Sequence, residues 1–141
     1  MNAVIKILST QNYGSPHGNT LELVTDGEYE YAKDLVKIVY QESPVTGMEG
    51  TTTTLQITPQ DVRLNREGNM TSSTVFREGQ RCDFLYSSPY GTTVLGVETR
   101  RITRFFNEHG GHLGVDYIID MDHAVVGRNS FQMNVSERED A

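Results

Sequence analysis

The sequence predicts an all-β protein, built as a single antiparallel β-barrel of meander type with about eight to ten strands and little helix. One observation is composition, because 13 Gly, seven Tyr and abundant Thr favour strands and tight turns over helices. A second is the alternation of apolar and polar residues along most segments, as in half-buried strands. A third is that the connections are short, so none has room for a crossover helix. Residues 1–141 are expected to form one barrel domain, with 137–141 as a charged, frayed tail.

The first half of the chain predicts five strands. They cover residues 3–11, 21–31, 35–42, 50–57 and 62–66. The first has aliphatic residues in both parities, so its inward face stays open. The second keeps its alternation in phase through Asp26 and Gly27, which predicts a glycine bend within one long strand rather than a hairpin turn. By the same parity, Glu42 ends the third strand on its dry face, and Arg66 ends the fifth strand pointing inward.

The second half predicts further strands over residues 70–78, 81–87, 113–121 and 128–135, with one long strand between the second and third of these. Pro89 and Gly91 mark a hairpin turn, because proline fixes one φ and glycine permits a positive one. In the long strand that follows, the odd positions up to Thr99 face inward, whereas Ile102 and Phe106 hold the even parity. This change of phase predicts a β-bulge, which bends the sheet and helps it to close.

The strand count favours a closed sheet. A sheet with this many strands and one dry face closes best on itself, because closure removes exposed edges. An eight-stranded barrel is about wide enough to be filled by side chains or to hold one small ligand. A two-sheet sandwich is the competing architecture, since strand parity does not distinguish the two.

Charge and cysteine content argue against several classes of function. The formal charge of -7 and the pI near 5.0 oppose binding to a phosphate backbone, so no nucleic-acid partner is expected. The single cysteine, Cys82, cannot form an internal disulfide. The amino-terminal residues lack the apolar core of a signal peptide, and no run reaches transmembrane length. We therefore expect a cytoplasmic protein without a membrane partner.

Several short segments match a known family in their order and spacing. They are residues 26–29 (DGEY), 40–47 (YQESPVTG), 64–68 (LNREG), 88–91 (SPYG), Thr99, 114–118 (GVDYI) and Asn129. Together they resemble the YwiB-like family of small bacterial proteins, over nearly the whole chain. The resemblance implies a lipocalin-like, or calycin-type, β-barrel. It also implies a family without an assigned biochemical function, so no catalytic residue is carried over.

Glu42 and Arg66 are the strongest candidates for a polar site, because both charges are predicted to point into the same barrel. Buried charges are costly unless they are paired. Two interpretations stay open: a structural ion pair near one end of the barrel, or an anchor for a polar ligand.

Hydroxyl groups make the predicted interior more polar than packing alone requires. The inward Thr and Ser residues are Thr51, Thr53, Ser72, Thr74 and Thr99, and the inward tyrosines are Tyr29, Tyr31, Tyr40, Tyr86 and Tyr117. They either line a pocket of hydrogen-bond donors or satisfy one another and buried waters. The candidate ligand-binding residues are Glu42, Arg66, Tyr40, Tyr86, Thr99 and Tyr117.

Motifs for metal binding and nucleophilic catalysis are weak. The histidines fall in or beside predicted loops, without the spacing of a zinc site; they are His17, His109, His112 and His123. Cys82 is predicted to be a small buried hydrophobe with no inward histidine near it. Neither a phosphate-cradling glycine loop nor a Gly-x-Ser-x-Gly elbow is present. We therefore expect no catalytic residue, metal or cofactor.

Two functions from different classes remain. In the first, the protein binds a small, partly polar metabolite or amphiphile inside the barrel, without catalysis, and Glu42 and Arg66 fix the polar end of the ligand. In the second, side chains fill the barrel, and the protein is a scaffold or regulatory module that meets a protein partner or a second copy. The polar inward residues favour the first. An enzyme ranks third, because no general acid or base beyond Glu42 stands out.

Overall fold

Ten antiparallel β-strands make up the part of the chain that the computed structural model describes, residues 1–12, 19–44 and 48–138. They are β1 (Asn2–Asn12), β2 (Asn19–Ala32), β3 (Leu35–Gln41), β4 (Thr51–Ile57), β5 (Val62–Gly68), β6 (Thr71–Phe76), β7 (Arg81–Ser88), β8 (Gly91–Asn107), β9 (Gly110–Met121) and β10 (Ala124–Glu137). Within these residues, no helix is long and apolar enough to cross a membrane. The all-β class is confirmed.

The strands form a closed barrel. Each strand pairs with the next along the chain, and β1 also pairs with β10. This confirms the predicted meander barrel over the sandwich. Because strand direction alternates, the connections fall alternately at the two ends. We call the end with the connections after β2, β4, β6 and β8 the packed end, and the end with the connections after β5, β7 and β9 the cavity end.

The barrel interior is lined by the residues that strand parity predicts. In β1, where the sequence left the face open, Ala3 and Ile5 are fully buried, whereas Leu8 is 39% exposed. In β2 the odd face also points inward, with Leu23 and Tyr29 buried. Side chains from around the barrel form one apolar cluster, which includes Ile38, Leu55, Val62, Val97, Leu113 and Met133.

β2 runs without interruption through Gly27, which pairs with Ala3 on one side and Tyr40 on the other. A Cβ atom here would lie 2.5 Å from Ile5 Cδ1 and 2.5 Å from the Val39 carbonyl oxygen. Only glycine fits where the three strands approach this closely. The prediction of one long strand, rather than a hairpin at this point, is confirmed.

β8 changes its inward face at the point where the sequence changes phase. The register between β8 and β9 shifts between Thr99 and Arg101. Thr99 is buried, and Ile102 packs against the core beyond the shift. The predicted β-bulge is confirmed. The predicted hairpin turn before β8 is also confirmed, since Ser88 pairs with Gly91, whose φ is +134°.

The barrel wall has a short ladder between β6 and β7, which we call the β6–β7 seam. Two residue pairs join these strands, Thr71 with Ser87 and Ser72 with Tyr86. In contrast, β6 forms five pairs with β5, and β7 forms eight with β8. Towards the packed end, residue 80, which precedes β7, bonds to β8 and not to β6. Thr99 of β8 donates its N–H to the carbonyl of residue 80 at 3.1 Å.

β10 is longer than predicted at both of its ends. It begins at Ala124 instead of residue 128, because Asp122 and His123 form a hairpin turn with positive φ angles of 51° and 67°. At the other end, Glu137 pairs with Ala3. Strand pairing therefore continues into the segment predicted as a frayed tail. Residues 139–141, like the predicted loop residues 13–18 and 45–47, lie outside the described residues.

Apolar and aromatic side chains fill the packed end. Tyr29 stacks on Phe106 with a ring-centroid distance of 6.2 Å. The Tyr29 hydroxyl donates a 2.6 Å hydrogen bond to the Asn107 carbonyl oxygen, beside the turn between β8 and β9. Burial raises the pKa of Tyr29 to about 12, so this hydroxyl keeps its proton at neutral pH. The side chain therefore acts as a neutral donor at this end of the barrel.

A buried carboxylate, Asp61, holds the connection between β4 and β5 at the same end. Its Oδ1 accepts a 2.8 Å hydrogen bond from the Thr58 hydroxyl, and its Oδ2 accepts a 2.9 Å bond from Arg77. Arg63 adds an ion pair at 3.6 Å. Burial alone would raise the pKa of Asp61, but these hydrogen bonds and charges keep it below the usual value. Both oxygens of this carboxylate therefore have partners.

Candidate functional site

A cavity of about 600 Å³ occupies the barrel interior. Residues next to the turns of the cavity end line it, including Met70, Thr93 and Met121, whereas Tyr29 of the packed end does not. Most of its wall is apolar, with Leu23, Leu55, Leu64, Phe76, Phe131 and Met133 among the lining residues. The volume lies within the range of about 300–1,000 Å³ that is typical of small-molecule sites.

Six inward polar residues form a continuous row across β3 to β8. Cross-strand pairing places them side by side, in the order Tyr40, Thr53, Arg66, Ser72, Tyr86 and Thr93. We call this set the Arg66 row. Directly paired residues on one face of an antiparallel sheet have Cβ atoms about 4.5–5.5 Å apart, so neighbours in the row can touch. The row thus concentrates hydroxyl groups and one guanidinium along one stretch of the inner wall.

Glu42 lies against this row. Its backbone N–H donates a 2.9 Å bond to the Thr51 carbonyl oxygen, which extends the pairing of β3 and β4 by one residue. Its Oε1 accepts a 2.6 Å hydrogen bond from the Thr53 hydroxyl and lies 4.0 Å from Arg66 Nε. The Glu42 side chain is 1% exposed and the Arg66 side chain 22%. The two charges that the sequence directed inward therefore meet at the limit of ion-pair distance.

The contact between Glu42 and Arg66 leaves hydrogen-bonding capacity unused. Among the described residues, neither Glu42 Oε2 nor Arg66 Nε has a hydrogen-bond partner, although both atoms are buried. A buried polar atom without a partner costs about 1–3 kcal/mol, and more when it is charged. Both side chains line the cavity. A donor and an acceptor are thus available to a molecule in the cavity.

Tyr40 is the neighbour of this pair in the Arg66 row. Burial and, secondarily, the charge of the Glu42 carboxylate raise the pKa of Tyr40 above its usual value. The hydroxyl therefore stays protonated and serves as a neutral hydrogen-bonding group on the cavity wall. Among the described residues, the hydroxyl of Tyr86, further along the row, makes only a 4.0 Å contact with Met70 Sδ.

A second inward row of polar residues crosses the other side of the barrel. It runs through Thr99 of β8, Tyr117 of β9, Asn129 of β10 and Gln11 of β1, which are cross-strand neighbours. Tyr117, Asn129 and Gln11 line the cavity. Asn129 Oδ1 is buried and has no hydrogen-bond partner among the described residues. This row gives the cavity a second polar region on the wall away from Glu42.

Five of the six candidate ligand-binding residues line one cavity, namely Glu42, Arg66, Tyr40, Tyr86 and Tyr117. Thr99 does not line it, although its side chain is buried and faces inward. The bulge after Thr99 lies directly next to it and changes the direction of β8 there. Whether any of these residues binds a ligand stays a prediction.

Two tyrosines that share the inward parity stay away from the cavity. Tyr29 bonds to the packed end, and Tyr31 is 41% exposed near the end of β2. Strand parity gives the face of a side chain but not its height in the barrel. Sequence reasoning missed Asn129 as a candidate. Its position has the same parity as those of Phe131 and Met133, so strand parity would have identified it as an inward polar residue.

The histidines and the cysteine form no site in the described residues. His109 bonds to Glu137 at 3.0 Å, which raises its pKa, and His112 bonds to Asn134 at 2.9 Å. Cys82 is a half-buried free thiol. In residues 1–12, 19–44 and 48–138, no group of three or more His, Cys, Asp or Glu side chains could hold a metal ion. His17 lies outside these residues.

Asp120, which by strand parity lies on the outer face of β9, is buried there by Arg81. The Arg81 guanidinium reaches across β8 and donates bonds of 2.6 and 2.9 Å to the two Asp120 oxygens. Gly96 of β8 makes this possible, since a Cβ would lie 2.2 Å from Arg81 Nη2. The hydrogen bonds from Arg81 lower the pKa of Asp120. This carboxylate is occupied by Arg81 on the outer wall, away from the cavity.

Comparison with known proteins agrees with the resemblance seen in the sequence. A family model described as a domain of unknown function (DUF1934) matches residues 5–133. No curated protein gives a significant match. Among solved structures, the crystal structure of the ywiB protein from Bacillus subtilis is similar, with a TM-score of 0.86 and 16% sequence identity. The similarity covers 98% of this chain and 92% of the other. At this identity it shows the shared fold.

Proposed function

We propose that this chain, which belongs to the family described as a domain of unknown function (DUF1934), binds a small, partly polar metabolite or amphiphile inside its barrel without catalysing a reaction. In this proposal the apolar body of the ligand occupies the cavity. Glu42 and Arg66 bind its polar end.

One observation carries the proposal. Glu42 is almost fully buried in the wall of a cavity of about 600 Å³, yet its Oε2 has no hydrogen-bond partner among the described residues. A carboxylate kept only for stability is expected to have both oxygens bonded, because an unpaired buried charge is costly. A ligand that bonds to Oε2 would supply the missing partner.

The distribution of polar groups around the cavity supports the same proposal. The Arg66 row and Glu42 supply polar groups on β3 to β8, and most of the remaining wall is apolar, with Leu23, Phe131 and Met133 among its residues. An apolar site with a few placed polar groups is the usual composition of a small-molecule pocket. The polar groups would fix the orientation of the ligand, and the apolar wall would supply most of the buried area.

The alternative, a filled barrel that serves as a scaffold, is less well supported because the interior has room for a ligand. A protein partner or homodimer, a cytoplasmic location and the absence of catalysis stay predictions from the sequence. We assign no reaction to Glu42, since no second carboxylate, histidine or lysine lines the cavity beside it among the described residues.

Native mass spectrometry of freshly purified protein tests the proposal, with the same sample measured under denaturing conditions. We expect an excess mass that is present in the native spectrum and disappears on denaturation. Leu95→Trp, which places a larger side chain into the cavity, should remove the excess mass. Val94→Trp is the matched control, because Val94 is the next residue on the outer face and is 56% exposed.

If no excess mass is seen, the protein is titrated with apolar probes that carry a polar head, and binding is followed by calorimetry. Binding that Leu95→Trp abolishes and Val94→Trp preserves would support the proposal. Binding that is equal in both variants, or absent altogether in folded protein, would refute it.

A further inference from the structure

Resting on the proposed function, we infer that the ligand carries an electrically neutral head group with both a hydrogen-bond donor and an acceptor, as a primary carboxamide does. The head group lies between Glu42 and Arg66. It donates to the carboxylate and accepts from the guanidinium.

The charged side chains that line the cavity balance each other. Glu42 and Arg66 are the charged residues among the described lining residues, and their charges cancel. Among the described residues, no Lys and no other Arg side chain lines the cavity, so the lining itself carries no net charge that would select an anion or a cation. The buried site is therefore expected to favour a ligand without a net charge, because an unpaired charge in such a place is costly.

Glu42 and Arg66 each have an atom whose hydrogen-bonding capacity is unused. Glu42 Oε2 is an acceptor, and Arg66 Nε carries a donor N–H. The other Glu42 oxygen is already held by Thr53 at 2.6 Å and lies 4.0 Å from Arg66 Nε. An acceptor on Glu42 and at least one donor of the Arg66 guanidinium thus remain unused, and a carboxamide presents the complementary donor and acceptor on one planar group.

Charged head groups fit this pair less well. A carboxylate would bond to Arg66 but would place a second negative charge beside Glu42 Oε2. An ammonium group would bond to Glu42 but would leave Arg66 Nε without an acceptor and beside a like charge. Each charged head group thus bonds to one of the two residues and is repelled by the other. A neutral donor–acceptor group satisfies both.

The test compares three probes with the same apolar tail, namely decanamide, decanoate and decylammonium, by titration calorimetry with the intact protein at neutral pH. We expect decanamide to bind at least about tenfold more tightly than either ion, since an uncompensated charge or donor in a buried site costs this much or more.

Two substitutions that each remove one of the charges should reverse the order. Glu42→Gln leaves Arg66 as the cavity charge, so decanoate should become the tightest ligand. Arg66→Gln leaves Glu42, so decylammonium should bind most tightly. Glu22→Gln and Arg100→Gln are matched controls, because both residues are exposed and change the net charge equally without lining the cavity. They should keep the order of the unmodified protein.

The outcomes separate this inference from the proposed function. If decanoate or decylammonium binds the unmodified protein as tightly as decanamide, the neutral head group is wrong, while ligand binding in the barrel stands. If no probe binds the folded protein or its variants, the proposed function fails together with the inference. Thermal unfolding of each variant establishes that it is folded, and Glu42→Gln tests the reversal even if Arg66→Gln does not fold.

Discussion

At the packed end of the barrel, Asp61 has a hydrogen bond to each carboxylate oxygen, from Thr58 and from Arg77. At the cavity end, Glu42 has one oxygen bonded to Thr53 and the other without a partner among the described residues. Both carboxylates are buried. Burial alone therefore does not distinguish the two carboxylates, whereas the completeness of their hydrogen bonds does.

The tyrosines repeat this contrast. Tyr29 bonds its hydroxyl to the Asn107 carbonyl at 2.6 Å, whereas Tyr86 has only a 4.0 Å contact with Met70 Sδ. At the packed end, Asp61 and Tyr29 complete their hydrogen bonds within the chain. The cavity end presents polar groups towards an interior space, as a preformed site does.

The largest expected effect comes from removing the cation beside Glu42. Arg66→Met should lower the free energy of unfolding by about 3 kcal/mol, because it leaves a buried carboxylate without its counter-charge. Combining it with Glu42→Gln should recover much of this loss. Urea denaturation of the single and double variants measures the loss of unfolding free energy and its recovery. A double variant as unstable as the single one would show that the two charges do not compensate each other.

A matched pair of isosteric substitutions compares the two carboxylates directly. Asp61→Asn should cost about 2 kcal/mol, because the amide cannot accept from both Thr58 and Arg77. Glu42→Gln should cost less than about 1 kcal/mol, since it removes a charge that is only partly compensated. The same urea measurement applies. Equal costs for the two changes would remove the distinction between the ends.

The two tyrosines allow a smaller test of the same idea. Tyr29→Phe should lower the free energy of unfolding by about 1 kcal/mol, because the Asn107 carbonyl loses a buried donor. Tyr86→Phe should change it by less than about 0.5 kcal/mol, since its hydroxyl has no strong partner in the described residues. If the Tyr86 substitution proved the more costly, the hydroxyl would have a structural role instead.

The smallest effect is expected in the acid dependence of stability. The pKa of Asp61 lies below the ordinary value of 3.8, so the unfolded chain takes up this proton first as the pH falls. Stability from Asp61 is therefore complete above about pH 4 to 5 and is lost as the pH falls through the folded-state pKa. Unfolding free energies between about pH 3 and pH 6 should fall less steeply in Asp61→Asn. A parallel fall in both proteins would contradict this assignment.

Strand parity predicted most of the barrel and the inward direction of the charged residues in the candidate site. It placed Glu42 and Arg66 inside and located the bulge of β8, because side-chain direction depends only on position along a strand. It did not give the register, so it could not tell that Tyr40, Thr53 and Arg66 are cross-strand neighbours while Tyr29 bonds to the packed end. It also missed the burial of Asp120, which depends on Arg81 reaching across Gly96 from a strand two places away.

The closure of β1 on β10 has a consequence for how the chain folds. Every other ladder joins strands that follow one another, whereas this one joins Ala3 to Glu137, at opposite ends of the described chain. Contacts of such long sequence separation are costly in loop entropy, and we expect them to form after the folding transition state. Ile5→Val in this ladder should then mainly speed unfolding, whereas Val115→Ala in the local hairpin of β8 and β9 should slow folding, as stopped-flow measurements would reveal.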